Sequence, residues 1–132
     1  MNIIVCLDDK NGMLFNKRRQ SSDIKIIDRI MEITQDSALL MNSYSAKQFS
    51  GNIIIDENFL NIAKAGEFCF VENCDIKDYK EKIEKIIIYR WNRVYPADMH
   101  FQKEILEGFR LASTYEFEGN SHEKITEEIY AI

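Results

Sequence analysis

Met1-Asn2-Ile3-Ile4-Val5-Cys6-Leu7-Asp8-Asp9-Lys10-Asn11-Gly12-Met13 opens the chain with an apolar run that ends in a polar turn. Ile3 to Leu7 is of strand length and lacks the apolar–polar alternation of a half-exposed strand, so it reads as a strand covered on both faces. Asp-Asp-Lys-Asn-Gly then supplies residues whose side chains or φ freedom let a chain reverse.

The composition bounds what such a strand can belong to. At 132 residues with 45% apolar side chains, the chain has the length of one domain and the material for one core. Eight Phe, six Tyr and one Trp argue for an ordered protein. A net charge of −5 and a pI near 5.1 speak against a generic nucleic-acid partner, which needs a basic face to displace counterions. No apolar run of about 18 residues is present, so no membrane partner is expected. The start of the chain also lacks the basic and long apolar stretches of a secretory signal. Cys6, Cys69 and Cys74 form an odd set without CxxC spacing. Cys6 and Cys69 lie in apolar runs and read as small buried hydrophobes, which suits a cytoplasmic, thiol-reduced protein.

Beyond the first turn, Lys17 to Ser22 reads as a polar loop. Ser22 is placed to cap a helix over Asp23 to Thr34, with Ile24, Ile27, Ile30 and Met31 on one face. Ala38 to Met41 is a short apolar run, Ser43 to Phe49 a short helix, and Asn52 to Ile55 an Ile-rich strand. Asp56 to Ala65 reads as a helix stopped by Gly66, Glu67 to Val71 as a strand, and Asp75 to Lys82 as a charged short helix. Glu84 to Trp91 is a strand centred on Ile86-Ile87-Ile88, and Phe109 to Phe117 a further one. Alternating strands and helices imply crossovers and a largely parallel sheet. The tail is two-sided: Ile125, Ile129 and Ile132 have helical spacing, whereas a closing edge strand suits the comparison that follows.

The order of elements resembles dihydrofolate reductase in shortened form. The resemblance rests on the opening strand and turn, and on Ala38-Leu39-Leu40-Met41-Asn42-Ser43-Tyr44-Ser45, similar to that family's strand ending in Met-Gly-Arg-x-Thr/Ser. It also rests on Ile86-Ile87-Ile88-Tyr89 followed by Tyr95-Pro96-Ala97-Asp98-Met99-His100-Phe101, and on Asn120-Ser121-His122 leading to Glu128-Ile129-Tyr130. It implies an α/β, three-layer fold in a single domain over 1–132, with a mostly parallel central sheet and a C-terminal antiparallel hairpin. On this basis residues 123–131 are taken as a strand.

The departures fall where the family's cofactor chemistry sits. A backbone approach to cofactor phosphates needs a Gly-Gly pair opening a helix; Phe70-Val71-Glu72-Asn73 has no glycine, and Glu72 would repel a pyrophosphate. Asn42 and Ser43 stand in place of Gly and Arg, removing a guanidinium aimed at NADPH. Asn16-Lys17-Arg18-Arg19-Gln20 replaces a Leu-Pro-Trp segment. The resemblance places Asp23 at the acidic residue that holds the pterin, on a helix about a turn longer than usual.

Each candidate carries two readings. Asp23 is a ligand-facing carboxylate, or a first-turn acid facing the helix dipole, in which case Asp23→Asn leaves the fold intact. Arg18 and Arg19 form an anion-binding loop or a solvated one. Asn42, Ser43 and Ser45 line a pocket beyond a strand's carboxyl end, or cap a helix. Asn73 would join that pocket if its amide faced it. His100 and His122 lie in no metal-binding array, so no metal is expected, and His122 reads as a local hairpin partner. No Gly-x-Ser-x-Gly, Walker A or GxGxxG motif supports a covalent hydrolase or a nucleotide loop. The leading expectation is a cofactor-free binding or regulatory module, not an active reductase, that takes a small planar or anionic ligand. The alternatives are an NADPH-dependent reductase with a rebuilt cofactor site, and a homo-oligomer built on a sheet edge or the Trp91 region.

Overall fold

The computed structural model describes residues 1–132. Strand β1 (Asn2–Leu7) is central. It is flanked in parallel by β6 (Phe68–Phe70) on one side and β7 (Lys85–Arg90) on the other. Outside β6 lie β4 (Leu39–Met41) and β5 (Ile54–Ile55), also parallel. Beyond β7 comes β10 (Ile125–Ala131), antiparallel to it, and then β9 (Arg110–Phe117), antiparallel to β10, so the sheet order is β5-β4-β6-β1-β7-β10-β9.

The continuous apolar runs follow from this centrality. Ile3, Val5 and Leu7 point into one core with Ile86 and Ile88, whereas Ile4 points into a second core with Ile87 and Tyr89. Alternate residues of one strand thus serve opposite faces, and each face is apolar because each is covered. Helix α1 (Ile24–Ile33) covers the second face with Ile26 and Ile30. The first face is covered by Phe59 and Leu60 of α3 (Phe59–Ile62), and by Ile76, Ile83, Phe101 and Ile105 from segments around two 3-10 turns. Burying a side chain of this size contributes about 1.5–3 kcal/mol.

The α/β, largely parallel architecture with a C-terminal antiparallel hairpin is present, and residues 125–131 are strand. Several local expectations are corrected. Asp23, not Ser22, caps α1, accepting from the Lys25 N–H at 2.9 Å. Ile24 is exposed, because the buried face of α1 centres on Ile26, Ile27 and Ile30. Helix α2 (Ser43–Ala46) and α3 are single turns, shorter than their apolar spacing suggests.

A second sheet was not anticipated. Strands β2 (Gly12–Phe15), β3 (Arg18–Arg19) and β8 (Met99–His100) pair antiparallel in the order β3-β2-β8. Phe15 pairs with Arg18, leaving Asn16 and Lys17 as a two-residue turn with φ of 51° and 61°. Positive φ at both centres is the primed turn that matches the twist of a hairpin, and Asn adopts it more readily than most residues. The segment read as a polar loop is therefore half hairpin.

Candidate functional site

The carboxyl ends of β1, β6 and β7 open onto a cleft between the main sheet, α1 and the β2–β3 hairpin. Cys6, Arg19, Gln20, Ser21, Asp23, Gln48, Phe70, Glu72 and Trp91 contribute to its walls. Its free space is about 10 Å³, room for one water molecule at most.

Glu72 and Arg19 account for that closure. Glu72 follows β6 and is buried, with 8% of its side chain exposed. Arg19 donates to it twice, from Nε at 2.9 Å and Nη2 at 3.2 Å. The Ser45 hydroxyl at 2.7 Å and the Gln48 amide at 3.0 Å complete its shell. The Arg19 guanidinium also lies 4.5 Å over the Tyr44 ring, and the Tyr44 hydroxyl accepts from the Arg19 N–H at 2.8 Å. A strand sends successive side chains to opposite faces. Arg19 therefore enters the cleft while Arg18 stays outside and exposed.

Arg18 borders a separate, open depression of about 550 Å³, shared with Phe15, Asn16, Arg19, Gln20, Tyr95 and Pro96. Arg19 and Gln20 form the wall between depression and cleft. Gln20 donates to Asp8 Oδ2 at 3.0 Å and to the Pro96 carbonyl at 3.3 Å. Its own Oε1 is buried without a donor. Flipping the amide would set Oε1 against those two acceptors, so the orphan is a consequence of the site.

Asp23 is taken up by protein donors. It is 3% exposed and accepts from the Asn120 N–H at 2.9 Å, the Ser121 N–H at 3.0 Å and His122 Nδ1 at 2.8 Å, besides its own helix. Burial alone would raise its carboxyl; these donors, Asn120 and His122 foremost, outweigh that and hold it far below the usual carboxylate range. His122 keeps a local contact, with Ser121 Oγ 3.2 Å from Nδ1, but its shorter bonds are long-range. It reaches Asp23 on one side and Ser21 Oγ on the other, where Nε2 lies at 2.9 Å, with Tyr95 OH also 3.2 Å from Nε2. Trp91 stacks on its ring at 4.7 Å. Gly119 is required here, since a Cβ would come within 2.7 Å of Asp23 Oδ2 and of the His122 carbonyl.

The strand-end candidates are brought together, but mostly satisfy one another. Asn42 caps α2 through the Ser45 N–H at 3.1 Å and donates to Asn73 Oδ1 at 2.9 Å. The Ser43 N–H and hydroxyl both bond Glu57. Burial, reinforced by the nearby Glu72 charge, pushes the Cys6 thiol up, so it is no ready thiolate. No cluster of three or more His, Cys, Asp or Glu side chains is arranged to hold a metal ion. Sequence reading missed Gln20, Ser21, Tyr44 and Gln48, and took Glu72 as a bar to phosphate without seeing its partner. Trp91 is 4% exposed and packs in the second core.

No protein-family model matches the chain. No curated protein matches it in sequence. Among solved structures, dihydrofolate reductase from Enterococcus faecalis complexed with NADP(H) and RAB-propyl superposes with a TM-score of 0.71 at 9% sequence identity, covering 98% of this chain and 94% of that one. Strand order, hairpin and cleft together give this chain the dihydrofolate-reductase fold.

Proposed function

We propose that the chain is a cofactor-free binding module on the dihydrofolate-reductase scaffold, holding a small planar anion in the depression beside Arg18. The observation that carries this reading is the division of labour in β3: Arg19 neutralises Glu72 and fills the cleft, while Arg18 has no carboxylate partner. Phe15 and Tyr95 line the same depression, a composition suited to a flat ligand with a carboxylate or phosphate. The cleft residues do not fit NADPH. A buried carboxylate stands after β6 without a glycine turn, and the Arg19–Glu72 ion pair lies in a cleft with about 10 Å³ of free space. A cytoplasmic setting suits the three free cysteines.

A thermal-shift series tests this with folate, flavin mononucleotide, nucleoside monophosphates, NADH and NADPH. A ligand at 100 times its dissociation constant stabilises by about 2.7 kcal/mol. The expected result is a saturable rise of about 5 °C or more with a planar anion, lost in Arg18→Ala. A saturable rise with NADPH that survives Arg18→Ala would return the chain to the reductases.

A further inference from the structure

Asp23, His122 and Ser21 stand in a line that binding alone does not explain. Asp23 is ionised and has no proton to give, so the His122 proton it faces at 2.8 Å sits on Nδ1. In the neutral ring Nε2 is then the acceptor, and its shortest contact is the Ser21 hydroxyl at 2.9 Å. The imidazole is 6% exposed, and the stacked Trp91 fixes its plane. Ser21 itself is half-buried and lines the cleft. A hydroxyl bonded to a base, and a base oriented by a carboxylate, is the arrangement that activates a serine. Such a relay is recognised by geometry and not by chain order, so the missing Gly-x-Ser-x-Gly does not bear on it.

We propose that Ser21, His122 and Asp23 form a hydrolytic relay that cleaves a small carboxylic ester bearing an anionic group. Ser21 Oγ attacks the ester carbonyl and passes its proton to His122 Nε2. The carbon–oxygen bond to the alcohol breaks, and that alcohol leaves with the proton. Water then gives a proton to His122, its oxygen bonds the acyl carbon, and the Ser21 ester bond breaks as Ser21 takes the proton back. The product is a free carboxylic acid. Ser21 and His122 are the catalytic residues, and Asp23 positions the imidazole. Arg19 and Gln48 line the same cleft, where both donate to Glu72. Gln20 stands in the wall between cleft and depression and is the part that must swing aside to admit substrate. The anionic group rests on the Arg18 reading above; the relay itself does not.

The test uses the full chain with a neutral alkyl fluorophosphonate, read by intact mass and peptide mapping. Expected is one adduct, mapped to Ser21, absent in Ser21→Ala and formed at least 100-fold more slowly in His122→Gln. Melting curves confirm that the variants are folded, and mapping on the unaltered chain keeps the test decisive if one is not. No adduct on the unaltered protein, or an adduct elsewhere that persists in Ser21→Ala, overturns the relay. The substrate class is read separately, from hydrolysis of p-nitrophenyl hemisuccinate against p-nitrophenyl acetate. A preference of 10-fold or more for the anionic ester that vanishes in Arg18→Ala supports it. Equal rates overturn the Arg18 reading while labelling still decides the relay.

Discussion

Asp23 shows how far one carboxylate can be drawn into structure. Lys25, Asn120 and Ser121 amides and the His122 ring all point at it. Asp23→Asn would set an NH₂ against those donors and remove the charge that holds them. Contrary to the expectation from sequence, it is expected to cost about 2–4 kcal/mol, read from urea denaturation. The sign of its pH dependence follows from the shift. The folded-state value lies below the ordinary 3.8, so the unfolded chain binds the proton more tightly. The stabilisation is complete above about pH 5 and drains away as pH falls through the folded value. Asp8 is shifted the same way, burial being outweighed by the Gly12, Tyr95 and Lys10 amides, so the two share one acid window. Urea titrations from pH 6 to 2.5 are expected to show stability falling steeply below about pH 4, and less steeply in Asp23→Asn.

At the scale of the element, the β2–β3 hairpin decides what the cleft contains. Its two-residue turn sets the register, and register sets which arginine faces inward. Removing Arg19 strands a buried carboxylate, so Arg19→Ala is expected to cost about 3–5 kcal/mol. Glu72→Gln relieves much of that loss in the double variant. A double-mutant cycle in urea checks this, with a coupling energy above about 1 kcal/mol expected. The site was legible only in pieces. Arg18, Arg19, Asn42, Ser43, Ser45, Asn73 and Asp23 were all picked out; the fold puts Arg19 and Asp23 in the cleft wall and Ser45 on Glu72, and leaves Arg18 on the separate depression. Their partners were not, because Glu72 lies 53 residues from Arg19 and His122 lies 99 from Asp23. No local pattern reports such pairs. Two strand residues joined by a turn of non-glycine residues with positive φ also give little signal against a background of polar side chains.

Across the whole molecule, what the sequence made readable was the sheet. Ile3–Leu7 and Ile86–Ile88 are apolar without a break because each strand feeds two cores, and that physical demand leaves a plain trace. The helices were overextended in reading because α2 and α3 are pinned by a few buried residues and need no full turns beyond them. The tail became strand because Ile125 and Glu127 are buried beside β7, where Glu127 meets Arg29 at 2.8 Å and Tyr89 at 2.8 Å. Helical spacing there gave way to tertiary pairing. The Gly119 contact has a consequence in time as well as in space. It joins residues nearly a hundred positions apart, so the chain must close a very long loop before the contact forms. This peripheral contact is expected to form after the rate-limiting barrier is crossed. Gly119→Ala, whose added methyl meets the Asp23 carboxylate and the His122 carbonyl, is therefore expected to lose about 1–3 kcal/mol. In stopped-flow chevrons the loss should fall almost wholly on the unfolding limb, leaving the refolding rate near its original value. The corner that closes the cleft would then also be the first to let go.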